Sequence, residues 1–168
     1  MVAAGLTALE ALGIAVRWEM DAGVTYRDLA AGCDSPLARD RFLLLQREAQ
    51  QHETLLRGRY AQLFPDVKLA VPPAAAVPAP AGAVGSGEGL KGALGFAVEA
   101  ERRAREFFME AADATADPTG QSMFRYLADV HGRHQMTLES EYDTVLRYPH
   151  AFDDPQAPWR PELRSRPE

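Results

Sequence analysis

Tyr126-Leu-Ala-Asp-Val-His-Gly-Arg-His-Gln-Met-Thr-Leu138 reads as the middle of a helix with an unusual face. Phe124, Leu127, His131, His134 and Leu138 recur at steps of three, four, three and four. That spacing draws one stripe down a helix, the kind that faces a core. Two imidazoles interrupt an otherwise apolar stripe. They lie three residues apart, so both rings could reach one ion. The plain alternative is a pair of hydrogen-bonded core histidines.

The stripe has a counterpart earlier in the chain. A shift of 82 residues carries His52 onto His134 (134 minus 52) and superposes the two halves without a gap. Ala11-Leu12-Gly13 meets Ala93-Leu94-Gly95, and Ala15-Val16 meets Ala97-Val98. Glu19 meets Glu101, Pro36 meets Pro118, Phe42 meets Phe124, Leu56 meets Leu138 and Tyr60 meets Tyr142. A match over about fifty residues implies one structural unit used twice.

Local signals divide each half into two helices. Thr7-Ala-Leu-Glu10 fits a capping box, and Leu9, Leu12, Val16, Glu19, Gly23, Tyr26 and Ala30 form a seam behind it. Gly32 is the expected stop. Asp34-Ser35-Pro36 restarts the chain, and a second seam runs through Phe42, Leu45, Ala49, His52 and Leu56 to about Leu63, before Pro65. A third helix is expected from residues 87–90 to about Thr115, with Leu94, Val98, Glu101, Arg105, Phe108 and Ala112 on its seam. Asp117-Pro118 opens a fourth, ending near Arg147. Short turns make each pair antiparallel.

Residues 64–86 are rich in Pro, Ala and Gly and carry no pattern. Such a linker can span the ~35–40 Å length of a helix of about 25 residues and return the chain to the other end. The expected fold is all-α: a single four-helix bundle of two hairpins, residues 7–63 and 87–147, joined by a crossover. A Pro-rich tail follows from Tyr148, where Phe152 and Trp159 could pin it to the bundle.

Glu19 and His52 lie at equal distances from the first turn, and Glu101 and His131 from the second. The polar seam residues should therefore share one layer at mid-bundle. A buried carboxylate without a partner costs several kcal/mol. Two carboxylates and three imidazoles from four helices invite a divalent cation.

Composition narrows the partners. The chain has 168 residues, 46% apolar and 25% charged, with a net charge of −6. That balance argues against a nucleic-acid groove or an anionic membrane. The one cysteine, Cys33, excludes a disulfide framework or a Cys-x-x-Cys metal knot within the chain and suits a reducing cytoplasm. The first residues lack a basic segment, and the longest uncharged run, 69–87, is broken by prolines, so neither a secretion signal nor a membrane span is expected.

The paired motifs resemble the ferritin-like superfamily and, within it, the rubrerythrin-like branch. Members carry in each half a Glu followed seven residues later by an aromatic, then Glu-x-x-His on the next helix. Glu19-Met-Asp-Ala-Gly-Val-Thr-Tyr26 and Glu101-Arg-Arg-Ala-Arg-Glu-Phe-Phe108 fit the first part. The resemblance implies a non-haem dinuclear iron site that reacts with peroxide or dioxygen, with Glu19, His52, Glu101 and His134 at ligand positions. Two positions depart. Ala49 and His131 stand where the branch has its two bridging glutamates.

Charge counting says what those losses do. Two carboxylates leave about +2 on two divalent ions held within ~3.5–4 Å. They match one ion. The expectation is therefore a single metal held by His52, His131, His134 and one or both of Glu19 and Glu101. An altered dinuclear site ranks second. Iron is the expected metal; zinc, nickel, manganese and cobalt suit the same donors. Metal loss is expected below about pH 6, where imidazoles protonate. Glu48, one residue off the seam, is expected to point away, and Tyr26 to serve packing, since Phe108 cannot donate. The resemblance also implies an external electron donor, because the rubredoxin-like Cys-x-x-Cys motifs of rubrerythrins proper are absent. The alternatives are a redox-inert metal-binding or storage protein and a bundle used for protein contacts. An exposed apolar stripe could also pair two copies as a homodimer.

Overall fold

In the computed structural model, which describes residues 7–74 and 89–148, helices begin where a short polar side chain closes the first turn. Thr7 caps α1 (Ala8–Gly32) by accepting from the Glu10 N–H, and Glu10 accepts in return from the Thr7 N–H at 2.8 Å. Ser35 caps α2 (Pro36–Leu63) and Asp117 caps α4 (Pro118–Arg147), each followed by a proline whose fixed φ suits the first turn. The third helix, α3, spans Gly89–Ala114. Gly89 has φ 53, a conformation that favours glycine. Gly32 ends α1 without turning left-handed: Cys33 is extended, and its N–H bonds to the Ala30 carbonyl.

The helices form a four-helix bundle. α1 packs along α2, α3 along α4, and α1 also against α4. Arg41, early in α2, pairs with Glu141, late in α4, at 2.8 Å. Gly120, at the start of α4, lies against Ala8, at the start of α1. α1 and α4 therefore run one way and α2 and α3 the other. The chain between α2 and α3 must cross the length of the bundle, as the linker's length allows.

The start of that connection departs from expectation. It is fastened to α1 rather than patternless. Tyr60 donates from its hydroxyl to the Lys68 carbonyl at 3.2 Å, and Leu69 and Val71 pack on the core. The Ala70 carbonyl sits over Gly13, where a Cβ would come within 2.3 Å of its oxygen. Residues 75–88 and the tail, with Phe152 and Trp159, lie outside the described residues. Among the described residues no helix is long and apolar enough to cross a membrane.

Two apolar clusters fill the bundle. One, near the α1 start, gathers Leu12, Val16, Leu56, Phe108, Phe124 and Leu127. The other, near the first turn, gathers Tyr26, Leu29, Phe42, Leu45, Leu94 and Leu138. Glu19, Glu101 and His131 are buried between them, as the mid-bundle layer requires. On α3 the buried stripe is rotated from the expected seam. Ala97, Ala104 and Ala111 face inward, whereas Arg105 is exposed and lies over Gly132. Alanine lets helices approach closely, and a long cation is more stable in water.

Candidate metal centre

The layer is built from all four helices. α1 supplies Glu19, α2 His52, α3 Glu101, and α4 His131 and His134. The helical spacing on α4 turns both of its rings toward Glu101. His131 Nδ1 lies 2.7 Å from Glu101 Oε2, and His134 Nδ1 lies 3.7 Å from the same oxygen. One ligand atom from each of Glu101, His131 and His134 falls within 4.8 Å of the others.

Glu19 and His52 complete the layer differently. His52 Nδ1 is 3.4 Å from Glu19 Oε1, yet neither atom has a hydrogen-bond partner among the described residues. The His52 ring stacks on His134, with centroids 5.6 Å apart and planes at 15°. The structure thus brings all five expected residues together. It ties three of them tightly and leaves two beside them. Glu19, Glu101 and His131 are buried, whereas the side chains of His52 and His134 are 23% and 21% exposed. These two rings form the open edge.

Two expectations fail. Tyr26 does more than pack: its hydroxyl donates to Glu101 Oε1, the oxygen the histidines leave free. Its ring also stacks on Phe42. Glu48 does not point away. Its Oε2 lies 4.0 Å from His134 Nε2, because the ring presents Nδ1 to Glu101 and turns its other nitrogen toward α2. A long side chain one position off a seam can still reach it.

One neighbour had no signal in the spacing. Trp18 stands edge-on to His131, with centroids 5.6 Å apart. Phe108 stacks on that ring at 5.3 Å and 8°. His131 is therefore packed against two aromatics, and packing is the role expected of Phe108. A bulky aromatic next to Glu19 in sequence was the only available hint of Trp18.

Electrostatics separates the groups. Burial alone would push the Glu101 carboxyl up. The His131 and His134 imidazoles outweigh it and hold the group at about 2, so it is ionised. Burial also opposes the charge on His134, but Glu101 prevails and raises it above the ordinary imidazole value. Burial and the Glu101 charge raise Tyr26 well above the usual phenol, which keeps its donor proton in place. With Glu101 ionised, His131 Nδ1 is the donor to it, and the buried Nε2 of the same ring has no hydrogen-bond partner among the described residues.

The donor set fits a transition-metal ion. Two imidazoles and one carboxylate with open positions are the donors of mononuclear non-haem iron sites. The unpartnered Glu19 oxygen marks a buried negative group that a cation would satisfy.

Comparisons with other proteins agree with the architecture. A family model described as Rubrerythrin matches residues 10–142. No curated protein matches the chain. Among solved structures, a hypothetical protein from Pyrococcus furiosus is 27% identical, with a TM-score of 0.66, covering 85% of this chain and 92% of that one. An uncharacterised conserved protein from Magnetospirillum magnetotacticum shares the fold at 23% identity, with a TM-score of 0.67, covering 83% and 95%.

Proposed function

Because the chain belongs to the rubrerythrin family, a ferritin-like metal-binding lineage, we propose that it is a non-haem iron oxidoreductase with a mononuclear, histidine-rich centre acting on peroxide or dioxygen. The observation that carries this reading is the convergence of His131 and His134 on one oxygen of Glu101, beside the unsatisfied Glu19. Glu101, His131 and His134 would hold the ion, with His52 and Glu19 facing its open side.

Iron there would supply one-electron chemistry toward oxygen–oxygen bonds. The protein's own groups do the rest. Tyr26 fixes the Glu101 carboxylate by holding Oε1, so the other oxygen stays aimed at the imidazoles. Trp18 and Phe108 pack against His131, which is buried from water. Glu19 and His52 can accept and return a proton at the open edge. Glu48, at the His134 rim, adds negative charge without being buried. The electron donor is external in this reading, and the lone free Cys33 is compatible with a reducing cytoplasm, the compartment this reading assigns.

The test is metal analysis of the full chain purified without chelators. About one ion per chain supports the mononuclear site; two per chain overturns it, and none overturns metal binding. Anaerobic loading with Fe(II), followed by peroxide or dioxygen, separates a redox centre from an inert one. Iron that stays ferrous under both oxidants removes the oxidoreductase reading and leaves metal storage or buffering.

A further inference from the structure

The same shift of 82 residues that aligns the metal-facing residues also aligns the two ends of the gap between α2 and α4. At one end Arg41 and Glu141 close that gap with an ion pair of 2.8 Å. Their counterparts at the other end are Met123 and Arg59. No salt bridge can form between those two, and the gap stands open there. It is a cleft of about 850 Å³ that Met123 and Arg59 both line, with Glu19 and His52 among its other walls. Among the described residues no carboxylate pairs with Arg59.

Two features of the cleft point to an amphipathic anion, and the buried Glu19 at its inner end, whose Oε1 has no hydrogen-bond partner among the described residues, disfavours a second anionic group there. The walls between it and Arg59 are apolar: Leu55, Met123, Tyr126 and Val130, of which Leu55 and Tyr126 are 64% and 52% exposed. Arg59 supplies a positive charge. Arg59 and His52 lie seven residues apart on α2, two helical turns or ~10.5 Å along the axis. The volume is within the usual range for small-molecule sites and far exceeds what peroxide or dioxygen needs.

We propose that this cleft binds a small amphipathic monocarboxylate, with its carboxylate on Arg59, its chain along the Leu55–Met123–Tyr126 wall, and its far end toward Glu19 and His52. Charge complementarity sets the direction. An anionic head at the Glu19 end would be repelled, whereas Arg59 offers a planar fork of donors. A chain of about eight carbons covers the two turns. The binding rests on the cleft alone; only a reaction at the far end rests on the proposed metal centre.

The test is calorimetric titration of the metal-free full chain with octanoate, octylamine and 1-octanol. Octanoate is expected to bind at least about tenfold more tightly than octylamine. Arg59→Gln should weaken octanoate by roughly tenfold and leave 1-octanol unchanged, while Arg59→Lys keeps most of the affinity. Ser122→Trp, at an exposed position in the cleft, should block both ligands. Octanoate binding that is absent at millimolar concentration, matched by octylamine, or indifferent to Arg59→Gln overturns the proposal. Metal stoichiometry is measured separately, so a failed metal reading and a failed cleft are told apart.

Discussion

In hairpin two, residues 89–147, Glu101 is surrounded: Tyr26 holds one oxygen, and His131 and His134 approach the other. In hairpin one, residues 8–63, its counterpart Glu19 has, among the described residues, only His52 at 3.4 Å, out of hydrogen-bond alignment. The two glutamates occupy equivalent places in the repeat. Two exchanges separate them. Ala49 stands where hairpin two has His131, and Tyr26 stands where hairpin two has Phe108. Both aromatics nonetheless serve hairpin two, Tyr26 by donating to Glu101 and Phe108 by stacking on His131. A near-symmetric frame thus concentrates its ligands on one side. The other side keeps an unsatisfied carboxylate facing the cleft.

The largest test of that asymmetry removes each glutamate in turn. Glu101→Gln is expected to weaken metal binding by about 100-fold or more, and Glu19→Gln by about tenfold, read by titration of metal-free protein with Co(II). Equal losses would break the comparison.

Restoring the missing group should level the halves. Ala49→Glu places a carboxylate at a position 3% exposed and recreates Glu-x-x-His in hairpin one. Metal content is expected to rise from one to two per chain. The metal-free variant should lose several kcal/mol of stability in denaturant, because the new charge is buried. Stoichiometry that stays at one sinks the charge-counting account.

The paired glycines give a smaller contrast. Gly13→Ala would drive a Cβ to 2.3 Å from the Ala70 carbonyl oxygen, so the segment around Ala70 must lift, at a cost of about 1–3 kcal/mol. Gly95→Ala meets only the Tyr142 ring, at 3.4 Å, and the gain in helix propensity of up to ~1 kcal/mol should leave it near neutral. Thermal melts of the two variants test this.

Of similar size, Tyr26→Phe should cost about 1–3 kcal/mol in a denaturant melt, because a buried carboxylate oxygen loses its donor. The reverse change at its counterpart, Phe108→Tyr, should not recover it, since that ring lies on His131.

The mildest effect is on pH. Metal binding needs neutral imidazoles, and His134 is raised because Glu101 outweighs the opposing effect of burial. The proton therefore competes with metal at higher pH than for a free imidazole. Affinity should begin to fall above the ordinary value of 6.5 rather than only below about 6. Glu101→Gln removes that attraction, so the pH onset in any residual binding should move down.

Much of this was legible in the letters. Thr7, Ser35, Pro36, Asp117 and Pro118 mark helix starts, because capping and proline geometry act within one turn of chain. Glu19, His52, Glu101, His131 and His134 stood out as polar groups on apolar stripes, and their heights followed from distance to a turn. The misses share a cause. Tyr26 meets Glu101 across hairpins, Glu48 meets His134 from one position off its seam, and Ala97 and Ala104 replace Val98 and Arg105 on the buried face. Each depends on how far a helix is rotated about its axis, which spacing gives only to within about a residue, or 100°.

The sequence by itself determined four helices, their limits, the doubled unit and the five residues of the polar layer. Those follow from rules that operate over three or four neighbouring positions and from a repeat that any shift of the chain against itself exposes. Only the tertiary structure decided that Glu101 is held from three sides while Glu19 is not, that Arg41 and Glu141 shut one end of a gap, and that Met123 and Arg59 leave the other open. Such facts lie in the rotation and separation of whole helices, fixed by the summed packing of alanines, aromatics and glycines far apart in the chain.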